Sequence, residues 1–194
     1  MFSNQREFIK KSTFNDEILH IACHAVIDST QSNLSFLHFG SNLEDSLKLY
    51  DYEISNLNFD LPLVVLNACE TFKGAEYKGE GIYNLNQSFI LGGAESVIST
   101  LWRIEDNSAS LFMDKFYTNL NKGNSINESV NSSKKLMIKD DITAHPFYWA
   151  AFLYNGDAKA TYHKKTPIRN MLVLGLFLIL VLTFKFKLRN KQLD

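Results

Sequence analysis

The sequence predicts an α/β fold, a mostly parallel sheet with helices on both faces. Three observations carry this. Apolar runs of β-type residues at 16–27 (DEILHIACHAVI), 61–68 (LPLVVLNA) and 95–102 (ESVISTLW) are separated by stretches with turn or helical character. In the middle run, Leu63, Val64, Val65 and Leu66 are consecutive, the pattern of a parallel strand covered on both faces. Strand, helix, strand, helix, strand is the order that places helices over such a sheet.

In chain order, 16–27 reads as a buried strand stopped by Asp28-Ser29-Thr30. Residues 34–39 (LSFLHF) before Gly40 read as a hairpin strand, and 45–58 as its return with a short helix. The strand at 61–68 leads into a loop with Gly74, Gly79 and Gly81. Ile82, Leu85, Phe89 and Ile90 then recur at helical spacing until Gly92-Gly93 ends the helix. After the strand at 95–102, a helix over 107–122 carries Leu111, Phe112, Phe116 and Leu120 on one stripe, with Asp106 or Ser108 as its cap. Ser125 and Glu128 form a capping box for a helix reaching Lys139. The aromatic run YWAAFLY after Pro146 reads as a last strand, stopped by Asn155-Gly156-Asp157.

Apolar residues make up 45% of the 194-residue chain, enough for one packed domain and too many for global disorder. A formal net charge of -1 does not point to nucleic acid, which would call for a clustered basic surface, so no nucleic-acid partner is expected. Two cysteines, Cys23 and Cys69, do not make a disulfide framework. No apolar leader follows Met1. From Met171 to Phe184 the chain is apolar and uncharged. With Ile168, Phe186 and Leu188 it approaches the roughly 20 residues that a span requires. The expected organisation is therefore a domain at 1–160, a linker at 161–167, a transmembrane helix at 168–188 inserted in a lipid bilayer, and a basic tail at 189–194. Four cations on each side tie under the positive-inside rule, so the side of the membrane stays open. A complete chain of this kind would hold its domain in the cytoplasm.

Two of the strands end in reactive residues, Ala22-Cys23-His24 and Asn67-Ala68-Cys69-Glu70. Ligands of open parallel sheets sit at the carboxyl ends of strands. If the two strands are neighbours, His24 and Cys69 face one crevice. An imidazole beside a thiol holds the thiolate as an ion pair and later protonates a leaving amine. The backbone N–H groups near Ala25 and Cys69 could then serve as an oxyanion hole. A buried, inert role is the competing reading for either residue alone. A zinc site from His20, Cys23, His24 and Cys69 lacks the usual ligand spacing, and no G-x-S-x-G elbow exists for a serine nucleophile. No metal or cofactor is expected.

The stretches ILHIACHAVID, LPLVVLNACETFKG, GEGIYNLNQSFILGGAESVISTLWRIEDNSA, LFMDKFYTNL and HPFYWAAFLYNGD, in this order over 17–157, resemble the C-terminal part of a CHAT domain. That domain is a caspase-like one, often found with tetratricopeptide repeats. The spacing of His24 and Cys69 also fits the caspase-type rule of a histidine about 50 residues before the cysteine. The resemblance implies a cysteine endopeptidase with His24 as catalytic histidine and Cys69, in NACET, as nucleophile, acting on a protein or peptide. It implies a structural role for His20, core roles for Trp102 and Trp149, and a capping role for Asp106. The family usually has glycine after the histidine, where this chain has Ala25. Its first strands precede the point where this chain begins, so a truncated sheet, or one completed by an upstream chain with tetratricopeptide repeats, is expected. The alternative in another class is a catalytically idle interaction module tethered to a membrane.

Overall fold

A computed structural model describes residues 3–12, 17–28, 34–40, 47–70, 80–157 and 162, of which 3–4, 68–70 and 80–84 are described in backbone only. Residues 1–162 form one compact unit. Its sheet is built from β1 (Ile18–Val26), β2 (Phe36–His38), β3 (Lys48–Tyr50), β4 (Leu63–Glu70), β5 (Ser96–Thr100) and β6 (Phe152–Gly156). The helices are α1 (Ser3–Lys11), α2 (Asp51–Ile54), α3 (Glu80–Leu91), α4 (Asp106–Asn121), α5 (Ile126–Ile138) and α6 (Pro146–Trp149).

The spatial order is β3-β2-β1-β4-β5-β6. β1, β4 and β5 run parallel, but β2 and β3 join as an antiparallel hairpin on β1, and β6 pairs antiparallel with β5. The sheet is mixed, which corrects the expectation of a mostly parallel one. The β2–β3 flank follows from its hairpin connection, whereas β6 returns antiparallel to β5 only after α4, α5 and α6.

β4 is the central strand, and its alternation defines the two faces. Val64 and Leu66 join Leu19, Ile21, Ala25, Leu37, Leu49, Ile54, Leu85 and Phe89 in one core. Leu63 and Val65 join Ile98, Phe112, Phe116, Ile126 and Phe152 in the other. α1, α2 and α3 therefore cover the first face, and α4 and α5 the second. α1 is not foreseen in the sequence. Ile9 anchors it in the first core, while Arg6 and Lys10 both reach Glu53 of α2 at 2.7 Å. Beside α1, a small cavity of about 150 Å³ is lined in part by Phe8, Ile9, Leu19, Ile21 and Phe39.

Local chemistry sets the ends of the helices. α3 ends just before Gly93, which takes φ +101° and whose Cα lies so close to the Phe59 carbonyl oxygen that a side chain there would collide with it. Ser125 caps α5 with the expected box, accepting from the Glu128 N–H at 3.2 Å while Glu128 accepts from the Ser125 N–H at 3.0 Å. Glu105 occupies the N-cap position of α4 with no side-chain cap bond, which corrects the expected cap at Asp106 or Ser108; Asp106 lies in the first turn. The run after Pro146 divides: Pro146–Trp149 is one helical turn, and only Phe152–Gly156 is strand. Proline fits the first turn of a helix, where its missing N–H costs nothing.

The transmembrane part of the expected fold, and with it the single-pass membrane localisation, is corrected. No helix among the described residues is long and apolar enough to cross a membrane. The longest, α4, has 16 residues, about 24 Å against a hydrocarbon core of about 30 Å, and it bears Asp106, Asp114 and Lys115. The expected span at 168–188 lies outside the described residues.

The packing makes two expectations measurable. Phe112 is fully buried and stacked on Phe152 and Phe116. Phe112→Ala should lower stability by about 3–5 kcal/mol, read by denaturant melts. Asp51 is buried, which pushes its carboxyl above the ordinary aspartate value of 3.8, although the Ser88 hydroxyl donating to it pulls the other way. A carboxyl raised in the folded state favours folding below its unfolded pKa, and that contribution is lost as pH rises through the folded pKa. Asp51→Asn, which keeps an acceptor for Ser88, should therefore melt higher than the native chain at pH 7. The gap should close as pH falls into the carboxylate range.

Candidate functional site

β1 and β4 lie side by side and parallel, so their carboxyl ends open at the same edge of the sheet. The register pairs His24 with Cys69, following His20 with Val65 and Ala22 with Asn67. Partners in a parallel pair share a face, and alternation along β4 puts position 69 on the face of Leu63 and Val65. The two residues singled out in the sequence are thus brought together at backbone level, on the α4 side of the sheet. β4 runs past its last pairing with β5, at Val65 and Ile98, before it reaches Cys69.

His24 is exposed, and Ala25 behind it is fully buried, its Cα opposite both Leu37 and Glu70. His20 shares the face of His24 and is engaged by α4. Its Nδ1 lies 2.9 Å from the Tyr117 hydroxyl and the rings are 5.9 Å apart. Partial burial lowers the His20 pKa and pushes Tyr117 up to about 12. Cys23 points to the opposite face, half-buried against the first core. Burial pushes its thiol up to about 12, against a smaller lowering from the backbone N–H of His38. That thiol stays protonated at neutral pH and is a poor nucleophile.

The other residues named from the sequence sit at the margin. Trp102 packs on the second core and donates from Nε1 to the Phe147 carbonyl at 3.0 Å. Trp149 donates to the Ala144 carbonyl at 3.1 Å. Among the described residues no group of three or more His, Cys, Asp or Glu is placed to hold a metal ion. The loop expected after β4, with Gly74 and Gly79, lies outside the described residues over 71–79.

One residue near this edge escapes a reading of the sequence. His38 of β2 is the register partner of His24 on the side away from Cys69, and it is buried, with 5% of its surface exposed. The signal available is the alternation in FLHF: Leu37 is apolar and buried, so His38 has to lie on the other face with Phe36. What the sequence does not reveal is which strand β2 meets, and in what register.

The chain is similar to tetratricopeptide repeat protein 28 from Mus musculus, 27% identical over 108 residues, which is 55% of this chain and 4% of that protein. It is likewise similar to tetratricopeptide repeat protein 28 from Homo sapiens, 24% identical over 104 residues, 54% of this chain and 4% of that protein. The chain therefore spans only a small fraction of the length of these relatives. A family model described as the CHAT domain matches residues 4–157, from α1 through the end of β6. With its strand-end histidine and cysteine carried on the matched stretch, the chain belongs to the CHAT domain family, which is related to the caspase-like cysteine peptidases.

Proposed function

We propose that the domain, assigned to residues 1–160, is a caspase-like cysteine endopeptidase in which Cys69 is the nucleophile and His24 the general base and acid. The observation that carries this reading is the register pair of His24 and Cys69 at the carboxyl ends of adjacent parallel strands. Parallel neighbours lie about 4.8 Å apart, so side chains leaving the same face at one level meet with little movement.

The chemistry closes on these two groups. The Cys69 sulfur attacks the carbonyl carbon of a peptide bond, and its proton passes to His24. The imidazolium gives that proton to the amine nitrogen as the C–N bond breaks, leaving a thioester on Cys69. Water, deprotonated by His24, then attacks the thioester. The products are a carboxylic acid and the free thiol. The backbone N–H of Cys69 is one proposed donor to the oxyanion, at the end of the β1–β4 pairing. Ala25 stands between two paired strands, so use of its N–H requires the strand end to release it on substrate binding. The substrate class is a protein or peptide. The relatives' naming as tetratricopeptide repeat proteins supports a setting in which helical repeats present that partner to the domain.

The reading is tested without a known substrate, by alkylation of the purified chain with iodoacetamide and mass spectrometry of the two cysteine peptides. Cys69 should react and Cys23 should not, because a thiol with a pKa of about 12 is protonated throughout the accessible range. Cys69→Ala should abolish labelling while the melting curve is retained.

The pH profile tests the imidazole. At pH 6 an ordinary thiol with pKa about 8.5 is only ~0.3% thiolate. A His24-paired thiolate is largely ionised there, and its lower nucleophilicity offsets part of the gain. His24→Ala should therefore slow Cys69 alkylation at pH 6 by about tenfold. An unreactive Cys69, or one whose profile ignores His24→Ala, would remove the peptidase reading and leave an interaction module.

A further inference from the structure

The second face of the sheet carries a transverse row at the level of the proposed dyad. Reading across β3, β2, β1 and β4, the register partners are Lys48, His38, His24 and Cys69. Ring contacts fix the face of the outer strands. Phe36 lies 5.3 Å from Tyr50 and 6.4 Å from His38, and the Lys48 ammonium sits 5.1 Å from the Phe36 ring centre. Leu37 and Leu49, one residue out of step, are both fully buried in the opposite core. His38 is thus directly across the strand gap from His24 on the same face.

An imidazole that works on a thiol needs its ring fixed by a partner at its other nitrogen, which also selects the tautomer. Among the described residues no carboxylate forms an ion pair with His24. Residues directly opposite in an antiparallel pair have Cβ atoms about 4.5–5.5 Å apart, within reach of a ring-to-ring hydrogen bond, direct or through one water. In its neutral form a histidine offers one acceptor nitrogen there. Among the described residues, the Lys48 and Cys23 side chains near His38 are unsuited to the task. Lys48 has no acceptor, and the Cys23 sulfur lies on the far face, where it meets the backbone N–H of His38.

We propose that His38 is a positioning residue for His24, accepting from the ring nitrogen turned away from Cys69 and so supporting the imidazolium that pairs with the thiolate. This rests on the peptidase reading above and names a third member of that site.

The test compares His38→Phe, which keeps bulk and loses the acceptor, with His38→Gln, which keeps an acceptor on a smaller side chain. Each purified variant is checked by its melting curve, and its Cys69 alkylation by iodoacetamide is followed from pH 5 to 9. His38→Phe should slow alkylation at pH 6 by about three- to tenfold, while the rate at pH 9 changes less than twofold. His38→Gln should stay within twofold of the native chain across the range. In a His24→Ala background, His38→Phe should add nothing. If His38→Phe does not fold, His38→Leu takes its place.

A native Cys69 whose profile ignores His24→Ala sinks the peptidase reading itself. A His24-dependent profile that His38→Phe leaves within twofold overturns only the role of His38. That role is equally overturned if Gln is as damaging as Phe, which is the result a purely packing role predicts.

Discussion

Eight consecutive pairs, Ile18 with Leu63 through Ala25 with Glu70, lock β1 to β4 in parallel, and everything proposed for this domain depends on that register. A slip of one residue would set His24 against Ala68 or Glu70 and turn every alternate side chain to the wrong core. The register is held because β4 has no face to spare. Leu63, Val64 and Val65 are fully buried and Leu66 nearly so, alternately in the two cores. Exposing any one of them would cost on the order of 1.5–3 kcal/mol, so the strand cannot slide without a loss comparable to much of a domain's stability.

The two cores divide the labour. On one side α2 and α3 pack over β1 and β4, with Gly93 allowing the chain to turn tightly against Phe59 into β5. On the other, α4 and α5 cover β4, β5 and β6 through Phe112, Phe116 and Phe152, and Tyr117 engages His20 at the near end of β1. The helices support the middle of the sheet, and His24 stays exposed beyond them. A site at this position gains a rigid floor from the strands while remaining open to an extended partner.

Much of this is legible in the sequence, for specific reasons. The run of four buried residues at 63–66 announces a two-sided strand, and the capping box at Ser125 and Glu128 announces a helix start. The placing of His24 and Cys69 at strand ends can be read, but their adjacency cannot. Which strands are neighbours is a tertiary fact, set by the crossovers and not by local propensity. The same limit hides which strand the hairpin joins, the antiparallel pairing of β6, and the register that sets His38 opposite His24. The helical turn at Pro146–Trp149 is hidden because the aromatic residues there resemble a strand in composition, whereas the proline starts a helix. α1 is hidden because its single buried anchor, Ile9, gives too weak a periodic signal in a short polar segment.

The two cysteines show how much chemistry the strand pleat alone decides. In register, Cys23 stands one step before the level of Cys69, paired with Ala68, and so belongs to the opposite face. There it packs against aliphatic residues, and burial raises its thiol to about 12, beyond use as a nucleophile. Cys69 belongs to the face of His24, at the end of a strand that outruns its neighbour. Sequence composition counts the two thiols as equals, but a single step of the period-2 alternation sets Cys23 against a packed core and puts position 69 level with His24 on the other face. Under the proposed reading, register decides before residue type which of the two thiols can be the nucleophile.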